Sequence, residues 1–135
     1  MTIASWIETH ARFAPTKVAL CFENLAYTYA EFASKIRRTA TLLKSDFRIS
    51  KGDRVAFLGY NTPEFLMVFF ACARLGAILV PLNWRLTALE HLYILRNSES
   101  KLLFLESEFA PLIEFVQEQL PACEVVGVDF DPASN

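Results

Sequence analysis

The sequence has 135 residues, 53 % hydrophobic and 21 % charged, with 12 phenylalanines and a formal net charge of −2. This length suits one ordinary domain that buries a core without disulfides or metal, and the apolar share excludes a largely disordered chain. The chain-wide charge leaves no electrostatic footprint for nucleic acid or an acidic membrane, and the apolar excess points to surface that something else covers.

Ile3, Trp6, Ile7, His10, Phe13 and Ala14 recur at helical spacing, and Pro15 closes that segment. Residues 18–22 read as a strand, Glu23 and Asn24 as a tight turn, and 25–27 as the return strand of a small hairpin. Thr28 and Glu31 have capping-box spacing, so hydroxyl and carboxylate can satisfy each other's orphan N–H groups. The helix they open has an apolar stripe of Tyr29, Phe32, Ala33, Ile36, Ala40 and Leu43, with Glu31, Lys35, Arg38 and Lys44 toward the other side. A turn at 49–53 leads into a short apolar strand at 54–58.

Pro63 and Glu64 suit the first turn of a helix that runs to Leu75 and ends at Gly76. Residues 77–80 form the next strand, which Pro81 is expected to stop. The stretch 65–82 approaches the length of a membrane span, yet it contains Arg74, Gly76 and Pro81. It therefore reads as a buried helix followed by a buried strand, with no transmembrane segment. Thr87 and Glu90 form a second capping box, for a helix ending near Asn97. A strand at 102–105, a helix at 109–120 whose start Pro111 restricts, and a strand at 124–128 complete the pattern, and 129–135 carry neither cap nor stop signal.

Alternating strands and helices predict an α/β fold: a mostly parallel sheet with helices on both faces, built from βαβ units and preceded by an N-terminal helix and a small hairpin. The strands lack polar alternation, so both sheet faces are expected to be covered. Residues 1–135 are read as a single, partial α/β domain. The helix from 62 to 75 is apolar nearly all round, and little chain remains to cover its second side.

A phosphate cradle needs closely spaced glycines, and Gly52, Gly59, Gly76 and Gly127 are far apart. Gly59 does sit on a strand-to-helix connection, the edge where doubly wound folds bind ligands, but a turn residue explains it. His10 and His91 have no spaced carboxylate, cysteine or histidine to suggest a metal, and read as surface or half-buried residues. The serines lack a nucleophile-elbow context. Lys35, Arg37 and Arg38 read as the wet face of a helix. Asn83 is expected to form a turn, with Trp84 packed or exposed beside Arg85. Cys21, Cys72 and Cys123 match no zinc or redox spacing. They are read as buried free thiols in a reducing compartment, which with the absence of a secretory pattern implies the cytoplasm.

Several segments occur in a familiar order: Thr28-Tyr29-Ala30-Glu31-Phe32, Gly52-Asp53-Arg54-Val55-Ala56, Asn61-Thr62-Pro63-Glu64-Phe65, the run from Leu75 through Pro81-Leu82-Asn83-Trp84-Arg85-Leu86-Thr87, then Glu90 and Tyr93-Ile94-Leu95. As a co-linear set covering about residues 6–105 they resemble the N-terminal region of the adenylate-forming superfamily, and within it the fatty-acyl and aryl-CoA synthetases. The resemblance implies a two-step reaction. A carboxylate attacks the α-phosphate of ATP to give an acyl-adenylate and pyrophosphate, and the sulfur of coenzyme A then displaces AMP, with magnesium assisting.

The family's glycine- and threonine-rich phosphate loop, its aromatic-Gly-x-Thr-Glu segment, its ribose-binding aspartate and its C-terminal lysine are all missing from this sequence. No catalytic, cofactor-binding or metal residue is therefore carried over, and the segment alone is expected to be inactive. ATP, magnesium and coenzyme A are implied for a full-length enzyme. The expected partner is the remainder of the synthetase, or a second copy through exposed apolar surface. A stand-alone α/β binding or self-association module is the alternative, followed by a small flavodoxin-like nucleotide binder.

Overall fold

The computed structural model describes residues 1–129, which form two compact units. Unit 1 comprises Met1–Lys51 and Thr62–Ala77, and unit 2 comprises Gly52–Asn61 and the chain from Ile78 onward.

Unit 1 holds helix α1 (Ile3–Phe13), the antiparallel hairpin β1 (Val18–Phe22) and β2 (Leu25–Thr28), helix α2 (Tyr29–Ser45) and helix α3 (Pro63–Leu75). The first capping box forms as its spacing predicts. Thr28 N donates to Glu31 Oε2 at 2.8 Å, and Glu31 N donates to Thr28 Oγ1 at 3.2 Å. Gly76 ends α3 in the left-handed region at φ 71°, where a side chain is strained. The core of the unit is Phe32, Ile36 and Phe70, with Ile7, Leu20, Tyr27, Leu66, Met67 and Phe69 packed against it. Glu8 of α1 receives Arg37 of α2 at 2.7 Å and Arg74 of α3 at 3.7 Å, so one carboxylate ties three helices together.

In α3, Pro63, Val68, Phe70, Ala71 and Cys72 are buried, while Phe65, Leu66, Met67, Phe69 and Leu75 are half-buried. The surface excess of large apolar side chains lies elsewhere, including Ile3, Trp6 and Phe13 of α1 and, in unit 2, Leu89 and Tyr93. No described helix is long and apolar enough to cross a membrane.

Unit 2 holds β3 (Arg54–Leu58), β4 (Ile78–Leu82), helix α4 (Ala88–Asn97), β5 (Leu102–Leu105), a 3₁₀ turn (Ser107–Phe109), helix α5 (Leu112–Gln119) and β6 (Glu124–Gly127). The four strands pair in parallel in the order β4-β3-β5-β6. Consecutive residues Val55, Ala56, Phe57 and Leu58, and all of β5, are buried, so both faces of the central strands are out of water, as their unbroken apolar runs require. Ala56, Leu58, Leu103 and Leu105 pack with Leu82, Leu95, Leu112, Ile113, Val116 and Cys123 into one core beneath α4 and α5.

Two local expectations fail for physical reasons. Pro81 does not stop the ladder, because β4 is an edge strand in which Ile78 N donates to Asp53 O. Alternation in a parallel ladder then turns Val80 and Leu82 toward β3 and the missing N–H of Pro81 toward the open edge. The helix expected over 109–120 is broken, because Phe109 closes the 3₁₀ turn and Pro111 precedes α5 as its N-cap.

At the amino end of the sheet, Arg54 donates from Nε to Ser98 O at 2.6 Å and pairs with Glu99 at 3.0 Å. Lys101 pairs with Asp53 at 3.3 Å.

Candidate functional site

The connections that follow β3, β4 and β5 meet at the carboxyl edge of the sheet within unit 2, the edge where open parallel sheets accept ligands. A groove of about 280 Å³ opens there, lined by Leu58, Trp84, His91, Glu108, Phe109 and Leu112 among others.

After β3 the chain turns at Gly59, and a Cβ there would lie 2.6 Å from the Glu106 carboxyl carbon. Glycine thus lets the Glu106 side chain approach the turn closely, and Tyr60 N donates to Glu106 Oε1 at 3.2 Å. The Tyr60 ring stands 5.3 Å from Trp84 and 5.6 Å from Phe109, centre to centre, joining all three connections through aromatic contacts. A hydrogen bond from the phenol to Glu108 raises the pKa of Tyr60, with desolvation and the charges of Glu108 and Glu106 adding to the effect.

After β4, Asn83 forms the turn that its residue type suggests. Its Oδ1 accepts from Arg85 N at 3.0 Å, and its carbonyl accepts from Leu86 N at 3.1 Å. Trp84 remains 44 % exposed, and the Arg85 guanidinium lies over its ring at 5.0 Å. His91 corrects the sequence reading, because it is fully buried rather than at the surface or half-buried. Its Nε2 lies 2.8 Å from the Asn83 carbonyl, and since a carbonyl can only accept, Nε2 carries the proton. α4 thereby holds the turn that presents Trp84 and Arg85. The second capping box sets the start of α4, with Thr87 N donating to Glu90 Oε2 at 2.8 Å.

After β5, Ser107 donates from N and Oγ to the Asp129 carboxylate at 2.7 and 2.8 Å, and this pair holds the Asp129 pKa below its usual value.

The other residues singled out in the sequence lie apart from this groove. His10 stacks on Tyr29 in unit 1 at 5.0 Å and accepts from Trp6 Nε1 at 3.2 Å. Lys35 lies over the Tyr27 ring, and Arg37 is held by Glu8. Cys72 and Cys123 are buried as expected, and burial pushes their thiols up to about 12 and about 11. Cys21 is exposed, contrary to expectation, because its position on the two-stranded hairpin faces outward.

Among the described residues no group of three His, Cys, Asp or Glu is placed to hold a metal. The turn at Gly59, the one glycine at this edge of the sheet that could admit a phosphate closely, is already filled by the Glu106 carboxylate. A negative group at that position opposes a second anion, so this turn does not fit a phosphate group. The groove suits apolar and aromatic groups, with Arg85 and Glu108 as its charged neighbours.

Compared with known proteins, residues 7–135 match the family described as AMP-binding enzyme. The chain belongs to this family of adenylate-forming enzymes, and it corresponds to their N-terminal part. It is 39 % identical over 132 residues to indoleacetate–CoA ligase of Aromatoleum aromaticum, a match covering 98 % of this chain and 26 % of the relative. It is 41 % identical over 113 residues to the fatty acid–[acyl-carrier-protein] ligase ScoC of Streptomyces coeruleorubidus, covering 84 % of this chain and 22 % of that protein. The crystal structure of the anthranilate CoA ligase AuaEII in complex with anthranoyl-AMP superposes with a TM-score of 0.88 at 28 % identity, over 95 % of this chain and 25 % of the other. The chain thus spans about a quarter of the length of the curated relatives it matches.

Proposed function

We propose that this chain is the N-terminal segment of an ATP-dependent acyl-CoA synthetase that activates a fatty or aryl carboxylic acid through an acyl-adenylate, and that the segment by itself does not catalyse the reaction. Residues 1–135 act as one partial α/β domain whose partner is the remainder of the synthetase, in the cytoplasm. The match along nearly the whole chain to about a quarter of each relative carries this reading.

Inactivity is supported by the Gly59 turn. Glu106 occupies the close approach, and neither of the other two described loop glycines, Gly52 and Gly76, pairs with another at phosphate-loop spacing. No catalytic, nucleotide-binding or metal residue is assigned to the segment, and no step of the reaction is routed through it. Its contribution to a complete enzyme is scaffold: a preformed parallel sheet whose carboxyl edge presents the groove bounded by Trp84, His91 and Phe109. Relatives named for coenzyme A and for an acyl-carrier protein leave the acceptor as a thiol carrier in either case.

ATP–pyrophosphate exchange with a panel of fatty and aryl acids tests the inactivity. The expected result is no exchange above a protein-free blank, and turnover that tracks the added acid would overturn it.

A further inference from the structure

The two edges of the four-stranded sheet in unit 2 are built differently. On β4, Ile78 N donates inward to Asp53 O, so alternation turns Leu79 and Pro81 outward. The ring of Pro81 then removes a donor that a further strand would need. On β6, Glu124 N donates inward to Lys101 O and Val128 N to Leu105 O. The same alternation turns the N–H and carbonyl of Val125 outward. Among the described residues β6 pairs with β5 alone.

The devices that keep a sheet edge from pairing are missing on β6. The strand reads Glu-Val-Val-Gly, with no proline or lysine, and its register against β5 runs from Glu124 to Gly127 without a bulge. Only Glu124 is exposed, and the Val125 side chain packs against the core beneath α4 and α5, so the edge is both apolar and anchored. The chain covers 26 % and 22 % of two relatives, so about three quarters of such a protein lies outside it. A strand of that remainder, joined to unit 2 in one polypeptide, meets the edge at about millimolar effective concentration, an advantage that a free second copy lacks.

We propose that the open edge of β6 accepts an extended segment of the rest of the synthetase as a further strand, paired through the backbone of Val125. The proposal rests on reading the chain as the N-terminal segment of such an enzyme.

Hydrogen exchange read at single residues tests it, in the 135-residue chain and in a chimera where that chain replaces the matched region of the indoleacetate–CoA ligase of Aromatoleum aromaticum. The Val126 amide points toward β5 and should be protected in both. The Val125 amide should exchange freely in the isolated chain and slow by about a hundredfold or more in the chimera. Val125→Pro removes the outward donor, as Pro81 does on the other edge. It should keep the circular dichroism of the isolated chain and lower the melting temperature more in the chimera, and an equal fall in both overturns the pairing. ATP–pyrophosphate exchange with indoleacetate reports separately whether the segment serves the enzyme. An active chimera with a fast Val125 amide overturns the proposal while the functional reading stands. Should the chimera lose its fold, the amide aligned with Val125 in the native ligase decides, and fast exchange there overturns the proposal. A dimer of the isolated chain in light scattering that Val125→Pro converts to monomer assigns the edge to a second copy and overturns it as well.

Discussion

The three thiols show how environment, rather than residue type, sets reactivity. Cys72 and Cys123 lie among apolar side chains, and removing water from a thiolate raises their pKa to about 12 and about 11. Cys21 lies exposed on the hairpin. An aromatic disulfide reagent at neutral pH should therefore release about one equivalent quickly from the native chain and the other two only after unfolding. Fast release of three equivalents would mean that the two buried thiols are open to solvent. His91 makes a related point: its hydrogen bond to the Asn83 carbonyl lets a polar ring sit beside an apolar groove without an unmet donor.

At the scale of elements, helix starts carry the clearest local information. Thr28 and Thr87 each accept from the backbone of a glutamate three residues on, and each glutamate answers the threonine's own N–H. Either threonine replaced by alanine removes one such exchange, and the expected loss is about 1 kcal/mol of unfolding free energy. Urea titration measures it as a lower midpoint at unchanged slope, and an unchanged midpoint in both variants would mean that the caps contribute nothing. The edge strand β4 shows why propensity alone misplaces an end. Proline ends a strand only where its N–H is wanted, and on this edge it is not.

Across the whole molecule, carboxylates held by backbone and hydroxyl donors make stability depend on acid. Glu31 and Glu90 are lowered below the usual 4.5, first by the backbone N–H groups of Thr28 and Thr87, and Asp129 is lowered by Ser107. Each of these groups binds fewer protons folded than unfolded near its titration range. Their contribution is therefore complete above the unfolded values and is lost as pH falls through the lower folded ones. Melting temperature should drop below a pH of about 4.5, and less steeply in Glu31→Gln/Glu90→Gln, which keeps the capping geometry but cannot titrate. Parallel curves for the variant and the wild type would place the acid sensitivity elsewhere.

Much of the fold was legible in residue order. Unbroken apolar runs at 55–58 and 102–105, each beside a capped amphipathic helix, specify buried parallel strands because no other packing removes both of their faces from water. The linear order of capping boxes, strands and the Pro81-Leu82-Asn83 turn was also enough to reveal the family.

The tertiary structure alone decided the rest. Tyr60, Trp84 and Phe109 are far apart in sequence and meet only because β3, β4 and β5 lie side by side in one sheet. Whether Gly59 cradles a phosphate or accommodates Glu106, and whether His91 is wet or buried, depend on neighbours many residues away. Periodicity along a chain records that a face is apolar, and only packing decides what, if anything, lies against it.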